Sequence, residues 1–395
     1  MILRYDSDLK EWKHEAKADQ NISFGFNNVQ VEATPSSSAM HENTHRFLLR
    51  NKDGNAGPLI GIMAAMSKKM ALTGNGPLFK ALHDEVVKRK GMIVVFPPET
   101  LTKDSISGVT FIPDIQKWIP VKTPLPHLVY NRVPFRKAEQ IPAFSDAAKY
   151  LTAMGIPFFN PTFINKNKLY SLFVKHPLLQ GLMPESIPVR TLNQLALFLD
   201  EHHGIYLKPA SSSKGIGIFR LRKVSGQVEF FSHSQKQVYP SLNELWNVYS
   251  QILLKHEYIA QKEISPKPIA GNRFDFRVLA HDGKNGYQVT GIGIRQSKKQ
   301  DLTTHLPKGG ILLPYENFRN EKHDEFFTEI VKVIGELLTN ELGYFGEFSI
   351  DAGVAQNGDY VIYEVNSKPM SFDEPEIEEK RIAILLDLFF RKTGF

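Results

Sequence analysis

At 395 residues, with 42% hydrophobic and 23% charged residues, the chain is longer than one ordinary domain and has the composition of a globular protein with several cores. It contains no cysteine, which excludes disulfides, thiolate catalysis and cysteine-held zinc, and no apolar run reaches the roughly 18 residues of a membrane span. The net charge of +6 is spread without an arginine-rich run, which favours small anionic ligands over nucleic acid, and the lack of a signal core points to the cytoplasm.

Residues 1–52 alternate short β-like pieces, Ile22 to Phe26 and Val29 to Ala33, with polar loops, and are expected to form a small β module. Within them His41-Glu42-Asn43-Thr44-His45 matches HExxH, a pattern that requires both imidazoles on one helical face. It follows Thr34-Pro35 and a serine run and precedes only the short Arg46–Arg50 segment, so it reads as a chance match, with a zinc peptidase the third of three functional readings.

From Pro58 an apolar strand, a Gly-containing loop (Thr73 to Pro77), a helix from Leu78 to Lys90 and a strand from Met92 to Phe96 spell a βαβ unit. A strand at His127 to Arg132 and a helix at Ala143 to Met154 complete an expected α/β domain over 53–160. In 161–258, helices are expected within Asn165–Leu179 and over Thr191–His202, then the strand Gly204–Pro209, a hairpin in Gly217–Phe231 and a helix at Leu242–Leu254. Lys208 precedes Ala210-Ser211-Ser212-Ser213-Lys214-Gly215-Ile216-Gly217, whose successive N–H groups could cradle an anion. Alone this signal is weak, because Ser/Gly-rich hairpin loops are common and a plain hairpin connection explains it better, and no GxxxxGK[ST] occurs.

Region 259–395 is strand-rich: Phe274 to Ala280, a turn at His281-Asp282-Gly283, Tyr287 to Gln296, then a helix from Glu325 to Asn340. Arg277 and Arg295 interrupt apolar strands and need an anionic partner, whether a phosphate, a substrate carboxylate or a structural Asp. The most informative stretch runs from Gly346-Glu347-Phe348-Ser349-Ile350-Asp351 to Tyr363-Glu364-Val365-Asn366-Ser367-Lys368-Pro369. A two-residue turn on Asn357-Gly358 sets Asp351 opposite Glu364, with Cβ atoms about 4.5–5.5 Å apart. Strand alternation puts Asn366 on the same face, about 6.6 Å along. Two carboxylates and an amide oxygen suit a hard cation such as Mg²⁺; a solvated hairpin edge is the alternative.

The order Lys166, Lys208 with its small-residue loop, Gln261-Lys262-Glu263-Ile264, Arg277, Arg295, Asp351, Glu364 and Asn366 resembles the ATP-grasp superfamily over about residues 57–395. Pro124 to Arg132, Phe159-Asn160-Pro161, Lys208-Pro209 and Phe274 to Val278 resemble, more closely, the endospore coat-associated ATP-grasp proteins. The resemblance implies an α+β fold in which two lobes sandwich ATP: a central lobe over 161–258 and a metal-binding lobe over 259–395, behind a βαβ pre-grasp domain and the N-terminal β module. It implies Lys166 and Lys208 on the ATP phosphates, with Ser211, Ser212, Ser213, Lys214, Gly215 and Gly217 closing over them. Gln261, Lys262, Glu263 and Ile264 would line the adenine. Asp351, Glu364 and Asn366 would hold two Mg²⁺ ions, with Mn²⁺ as the alternative metal. Arg295 and Arg277 would be the catalytic arginines, Arg295 facing the transferred phosphoryl group or the substrate carboxylate.

The implied activity is an ADP-forming carboxylate–amine ligase that makes an amide or peptide-like bond through an acyl phosphate, on small-molecule or peptide substrates. A link to the endospore coat and its proteins comes with the resemblance; membranes and nucleic acids are not expected partners. A coat-associated scaffold that binds nucleotide without turnover is the alternative. His305 stands where relatives commonly carry asparagine, and Lys368 and Met370 replace residues that peptide-forming relatives often keep small, so no particular acceptor is carried over.

Overall fold

A computed structural model describes the chain except residues 16–19, 36–40, 68–70, 211–216, 233–234 and 298–309. Seven short strands come first: β1 (Ile2–Asp6), β2 (Glu11–His14), β3 (Ile22–Phe24), β4 (Val29–Ala33), β5 (Thr44–Leu48), β6 (Arg50–Lys52) and β7 (Asn55–Gly57). They form one sheet in the order β5-β1-β2-β4-β3-β7-β6, which therefore runs past residue 52. The β6–β7 hairpin turns on Asp53-Gly54, both at positive φ, the Asp-Gly chemistry that tight hairpins favour. His41 lies in a loop with Nδ1 2.9 Å from Asp6 Oδ2, and His45 lies on β5. The two imidazoles share no helix, so the HExxH match has no zincin geometry.

The second sheet comprises β8 (Leu59–Met63), β11 (Met92–Phe96), β12 (Ser105–Ile112), β13 (Lys117–Pro124), β14 (Leu128–Asn131) and β15 (Phe158–Phe159), after the small hairpin of β9 (Ala65–Met66) and β10 (Leu72–Thr73). Its order is β13-β12-β11-β8-β14-β15, with β8 parallel to both β11 and β14. Helices α1 (Gly76–Lys88), α2 (Arg136–Glu139) and α3 (Pro142–Ala153) accompany it. Every residue of β8 and β11 is buried, as expected of parallel strands covered on both faces. On one face Met63, Val94 and Phe96 share a core with Leu3, Phe24 and Phe47 of the first sheet. The Pro-rich stretch supplies the antiparallel β12–β13 hairpin, which strand patterning alone does not suggest.

The central lobe follows α4 (Lys166–Lys175). It contains β16 (Ser186–Pro188), α5 (Leu192–His202), β17 (Gly204–Pro209), β18 (Phe219–Val224), β19 (Gln227–Phe231), β20 (Lys236–Tyr239), α6 (Leu242–Lys255) and β21 (Tyr258–Lys262). Thr191 and Ser241 cap α5 and α6 through their side chains. Leu195, Phe198 and Leu199 of α5 and Leu245 and Leu253 of α6 pack on Ile205, Leu207, Leu221 and Phe230. The sheet order is β16-β21-β17-β18-β19-β20.

The last lobe has β22 (Phe274–Gly283), β23 (Gly286–Ser297), β24 (Gly310–Leu313), α7 (Glu321–Leu342), β25 (Glu347–Val354), β26 (Tyr360–Asn366) and α8 (Pro375–Thr393). The β22–β23 turn falls on Lys284-Asn285, not on His281-Asp282-Gly283, which continue the strand. In the order β24-β23-β22-β25-β26, Phe276, Val278, Phe348 and Ile350 pack against Phe327, Ile330 and Ile334 of α7. Helix α8 returns to the second sheet, where Leu385, Leu386 and Phe389 meet Ile60, Ile62 and Leu82. The whole is an α+β architecture in which the two sheets of residues 186–262 and 274–366 follow the α/β unit, and no described helix is long and apolar enough to cross a membrane.

Candidate active site

The β25–β26 hairpin brings the acidic face together by a route other than the two-residue turn. Val354 pairs with Tyr360, Gly353 with Val361 and Ala352 with Ile362; then a β-bulge admits Tyr363, and Asp351 faces Glu364. The connection is the longer loop Ala355–Asp359, closed by Ala355 N–H donating to the Asp359 carbonyl at 2.8 Å and Gly358 N–H to the Ala355 carbonyl at 2.9 Å. The longer loop moves the register by one residue and the bulge moves it back. Asp351 and Glu364 are thus opposed, but the tight Asn357-Gly358 turn is replaced.

Cations meet this face from several elements. Arg295 on β23 donates to Asp351 Oδ1 at 2.9 Å, and Asn366 Nδ2 donates to Asp351 Oδ2 at 3.3 Å. Lys166, placed at the start of α4 by its Asn165 cap, donates to Glu364 Oε1 at 2.5 Å. The two carboxylate side chains keep 17% and 30% of their exposure, so both remain reachable by a ligand. Lys208 reaches in from β17 and donates to Gln261 Oε1 at 2.5 Å, while Gln261 Nε2 donates to Ser186 Oγ at 3.1 Å. Burial, and then the neighbouring Lys166 ammonium, push the Lys208 pKa down to about 8.

Not every expected residue joins them. Lys262 and Ile264 line a cavity of about 330 Å³ with Tyr170, Phe173, Met183 and Glu185, whereas Gln261 faces Lys208. Glu263 is held by Arg222, at 2.7 and 2.9 Å. Gly217 has φ +75°, and a Cβ there would stand 2.9 Å from Tyr258 Oη, so this position needs glycine for both reasons. Ser211, Ser212, Ser213, Lys214, Gly215 and His305 lie outside the described residues. Arg277 pairs in register with Asp351, but its guanidinium covers the Phe372 ring at 4.4 Å and donates to the Met370 carbonyl at 2.9 Å.

Two further arginines were not anticipated. Arg273 stands 5.4 Å from the Tyr363 ring, with Nη1 3.5 Å from Tyr206 Oη, beside Lys208. Arg136 lies near Glu364, 5.0 Å over the Phe163 ring. An arginine just before a strand and another in a four-residue helix carry no local pattern that marks them. The Nε atoms of Arg136 and Arg295 are buried without a hydrogen-bond partner among the described residues, whereas that of Arg273 stands 3.6 Å from Asp275 Oδ1. Buried unsatisfied donors are costly, and an anion between the lobes would satisfy them.

The donor set Asp351, Glu364 and Asn366 fits a hard divalent ion: all three offer oxygen once the Asn366 amide turns over, and they converge on one face. A model of the family described as YheC/D like ATP-grasp matches residues 155–389. The chain is 25% identical, over 349 residues, to the endospore coat-associated protein YheD of Bacillus subtilis (strain 168), covering 83% of this chain and 76% of that protein. It is 23% identical over 207 residues to the endospore coat-associated protein YheC of the same organism, covering 49% and 57%. In fold it is similar to D-alanyl-alanine synthetase A from Vibrio cholerae O1 biovar eltor, with a TM-score of 0.54, 11% identity, and 86% and 99% of the two chains covered.

Proposed function

Since the chain belongs to the YheC/D like ATP-grasp family, we propose that it is an ATP- and Mg²⁺-dependent ligase joining a carboxylate to an amine. The carrying observation is that Lys166 and Arg295 bond Glu364 and Asp351, beside Asn366, while Lys208, bonded to Gln261 on a third element, lies within electrostatic reach of Lys166 and Glu364. In this reading a substrate carboxylate oxygen attacks the γ-phosphorus of ATP, its bond to the bridging oxygen breaks, and ADP leaves with that oxygen. The amine nitrogen then attacks the acyl carbon of the acyl phosphate, inorganic phosphate departs, and the nitrogen gives its proton to solvent.

Phosphoryl transfer of this kind needs positioning and charge neutralisation more than covalent help. Two Mg²⁺ held by Asp351, Glu364 and Asn366 would supply neutralisation at the β- and γ-phosphates. Lys166 would exchange part of its Glu364 contact for phosphate oxygen, and Lys208 would do the same with Gln261. Arg295, steadied by Asp351, would face the transferred group, with Arg277 behind it on β22. The loop with Ser211 to Gly215 and Gly217 would close over the phosphates, and the segment Gln261 to Ile264 would line the adenine. The lobes 161–258 and 259–395 would then be the two jaws, behind units 1–52 and 53–160. The names of the relatives support a place at the endospore coat; the acceptor in this reading is a small molecule or a peptide.

The test is incubation of the full chain with Mg²⁺, ATP and pools of amino acids and peptides whose carboxylates carry ¹⁸O. Release of ADP with ¹⁸O-labelled phosphate is expected; AMP with pyrophosphate, or unlabelled phosphate, would overturn the acyl-phosphate step. Tight nucleotide binding with no ADP in any pool would favour the scaffold.

A further inference from the structure

Away from the acidic hairpin, Glu185, Glu201 and His202 bring one ligand atom each to within 4.8 Å of one another. Two chain segments supply them. Glu201 and His202 end α5, which His203 closes in the left-handed region at φ 59°, and Glu185 immediately precedes β16. The His202 side chain is only 5% exposed, whereas that of Glu185 is 52% exposed. His202 Nε2 is buried, stands 3.4 Å from Glu185 Oε2, and has no hydrogen-bond partner among the described residues. Its ring is held edge-on to Phe198 at 4.4 Å, so Nε2 has a fixed direction into the cluster.

We propose that Glu185, Glu201 and His202 form a binding site for a divalent first-row transition metal ion, with Zn²⁺ its natural probe. One imidazole and two carboxylates are a ligand set such ions accept, with the remaining positions left to water. Ligand atoms around one ion at about 2.0–2.2 Å stand roughly 4 Å apart or less, so the two exposed carboxylates need swing inward by only about 1 Å. The buried imidazole stays where it is, a preorganised anchor for mobile partners. The C-terminal end of α5 adds the negative pole of its helix dipole, which favours a cation there. The site also has a defined mechanical place. The Glu185 carbonyl accepts from Lys262 N–H at 2.8 Å, and Ser186 pairs with Gln261, so an ion would tie the end of α5 to β16 and through it to β21, which carries Gln261. The inference does not depend on the ligase reading, because it uses none of the hairpin residues.

Zn²⁺ titration of the chelator-treated full chain, followed by calorimetry in saturating Mg²⁺ to occupy the oxygen-rich hairpin site, tests it. One Zn²⁺ per chain is expected, with a raised melting temperature. Even outer-shell changes commonly cost about 10–100-fold in metal affinity, so His202→Gln and Glu201→Gln should each weaken Zn²⁺ binding at least about tenfold. Glu201→Gln is the safeguard for folding, since Glu201 is exposed. No Zn²⁺ binding by the wild-type chain in Mg²⁺, or wild-type affinity in either variant, would overturn the site.

Discussion

Lys208 must carry a charge where burial and Lys166 both oppose it, which is why its pKa falls to about 8. Phosphate oxygens would favour the ammonium, so the pKa in the nucleotide complex must exceed that in the free protein. Binding then takes up a proton between the two values, and MgATP affinity should fall as pH rises through about 8. Calorimetry in buffers of different ionisation enthalpy should show this uptake in the wild type and not in Lys208→Met. Glu364 has a double part, as partner of Lys166 and as a metal ligand in the proposed site. Glu364→Gln should lower ADP formation by about 10²–10³ with the melting temperature nearly unchanged; full turnover in that variant would remove the metal assignment. At this scale alternation makes the shared face of Glu364 and Asn366 legible, whereas Asp351 opposes Glu364 only because the bulge offsets a loop longer than the two-residue turn that the sequence suggests. Arg136 and Arg273 are not legible in this way, because only their tertiary neighbours distinguish them from the arginines that stay at the surface.

In the proposed site, the hairpin of β25 and β26 is the element that sets the metal-facing side chains. Its bulge at Tyr363 restores the register, and it is seated against Gly353, where a Cβ would stand 2.4 Å from Tyr363 Oη. Gly353→Ala should therefore displace the bulge, cost about 1–3 kcal/mol of stability by overpacking, and weaken Mg²⁺-ATP binding. Urea unfolding and calorimetry read the two effects; lost stability with undiminished nucleotide affinity would show that the bulge does not set the site. Helix-sized patterns with clear stops, such as those ending at Gly155 and capped at Thr191, predict their elements to within a few residues. The β22–β23 turn was misplaced because His281-Asp282-Gly283 has turn composition, while the strand partners Glu347 and Tyr287 hold His281 and Asp282 in the ladder.

Across the whole molecule, Glu347 is the buried junction. Its carboxylate accepts from Tyr130, from Arg132 at 3.1 Å and twice from Arg381 at 2.9 Å, and stands 3.4 Å from His281 Nε2. These groups come from β14 and the residues just after it, from α8 and from β22. Arg132 and Arg381 both also donate to the Pro369 carbonyl, at 2.9 and 3.1 Å, three residues beyond Asn366. The network therefore locks the second sheet, the C-terminal helix and the acidic hairpin together. Burial alone would push the Glu347 carboxyl up, but Arg381, His281 and Arg132 outweigh it and hold it well below the usual carboxylate range. Its stabilisation is thus complete above the unfolded-state value of about 4.3 and is lost as pH falls below that. Glu347→Gln should cost about 3–5 kcal/mol near neutrality and flatten the acid limb of the stability curve between about pH 5 and 2, as measured by urea unfolding. An unchanged acid limb would mean the network does not carry the coupling.

What the sequence determined by itself lies within short reach along the chain: periodicity, caps, parallel-strand apolar runs and the alternation that puts Glu364 and Asn366 on one face. Those signals arise from dihedral preferences and side-chain direction, which neighbouring residues set. Only the tertiary structure decided that a bulge offsets a longer turn, that Glu347 meets Arg132 from 215 residues away, and that His202 points into two carboxylates. Such meetings depend on which apolar faces close over one another, and that choice is made by packing of distant segments rather than by any local rule.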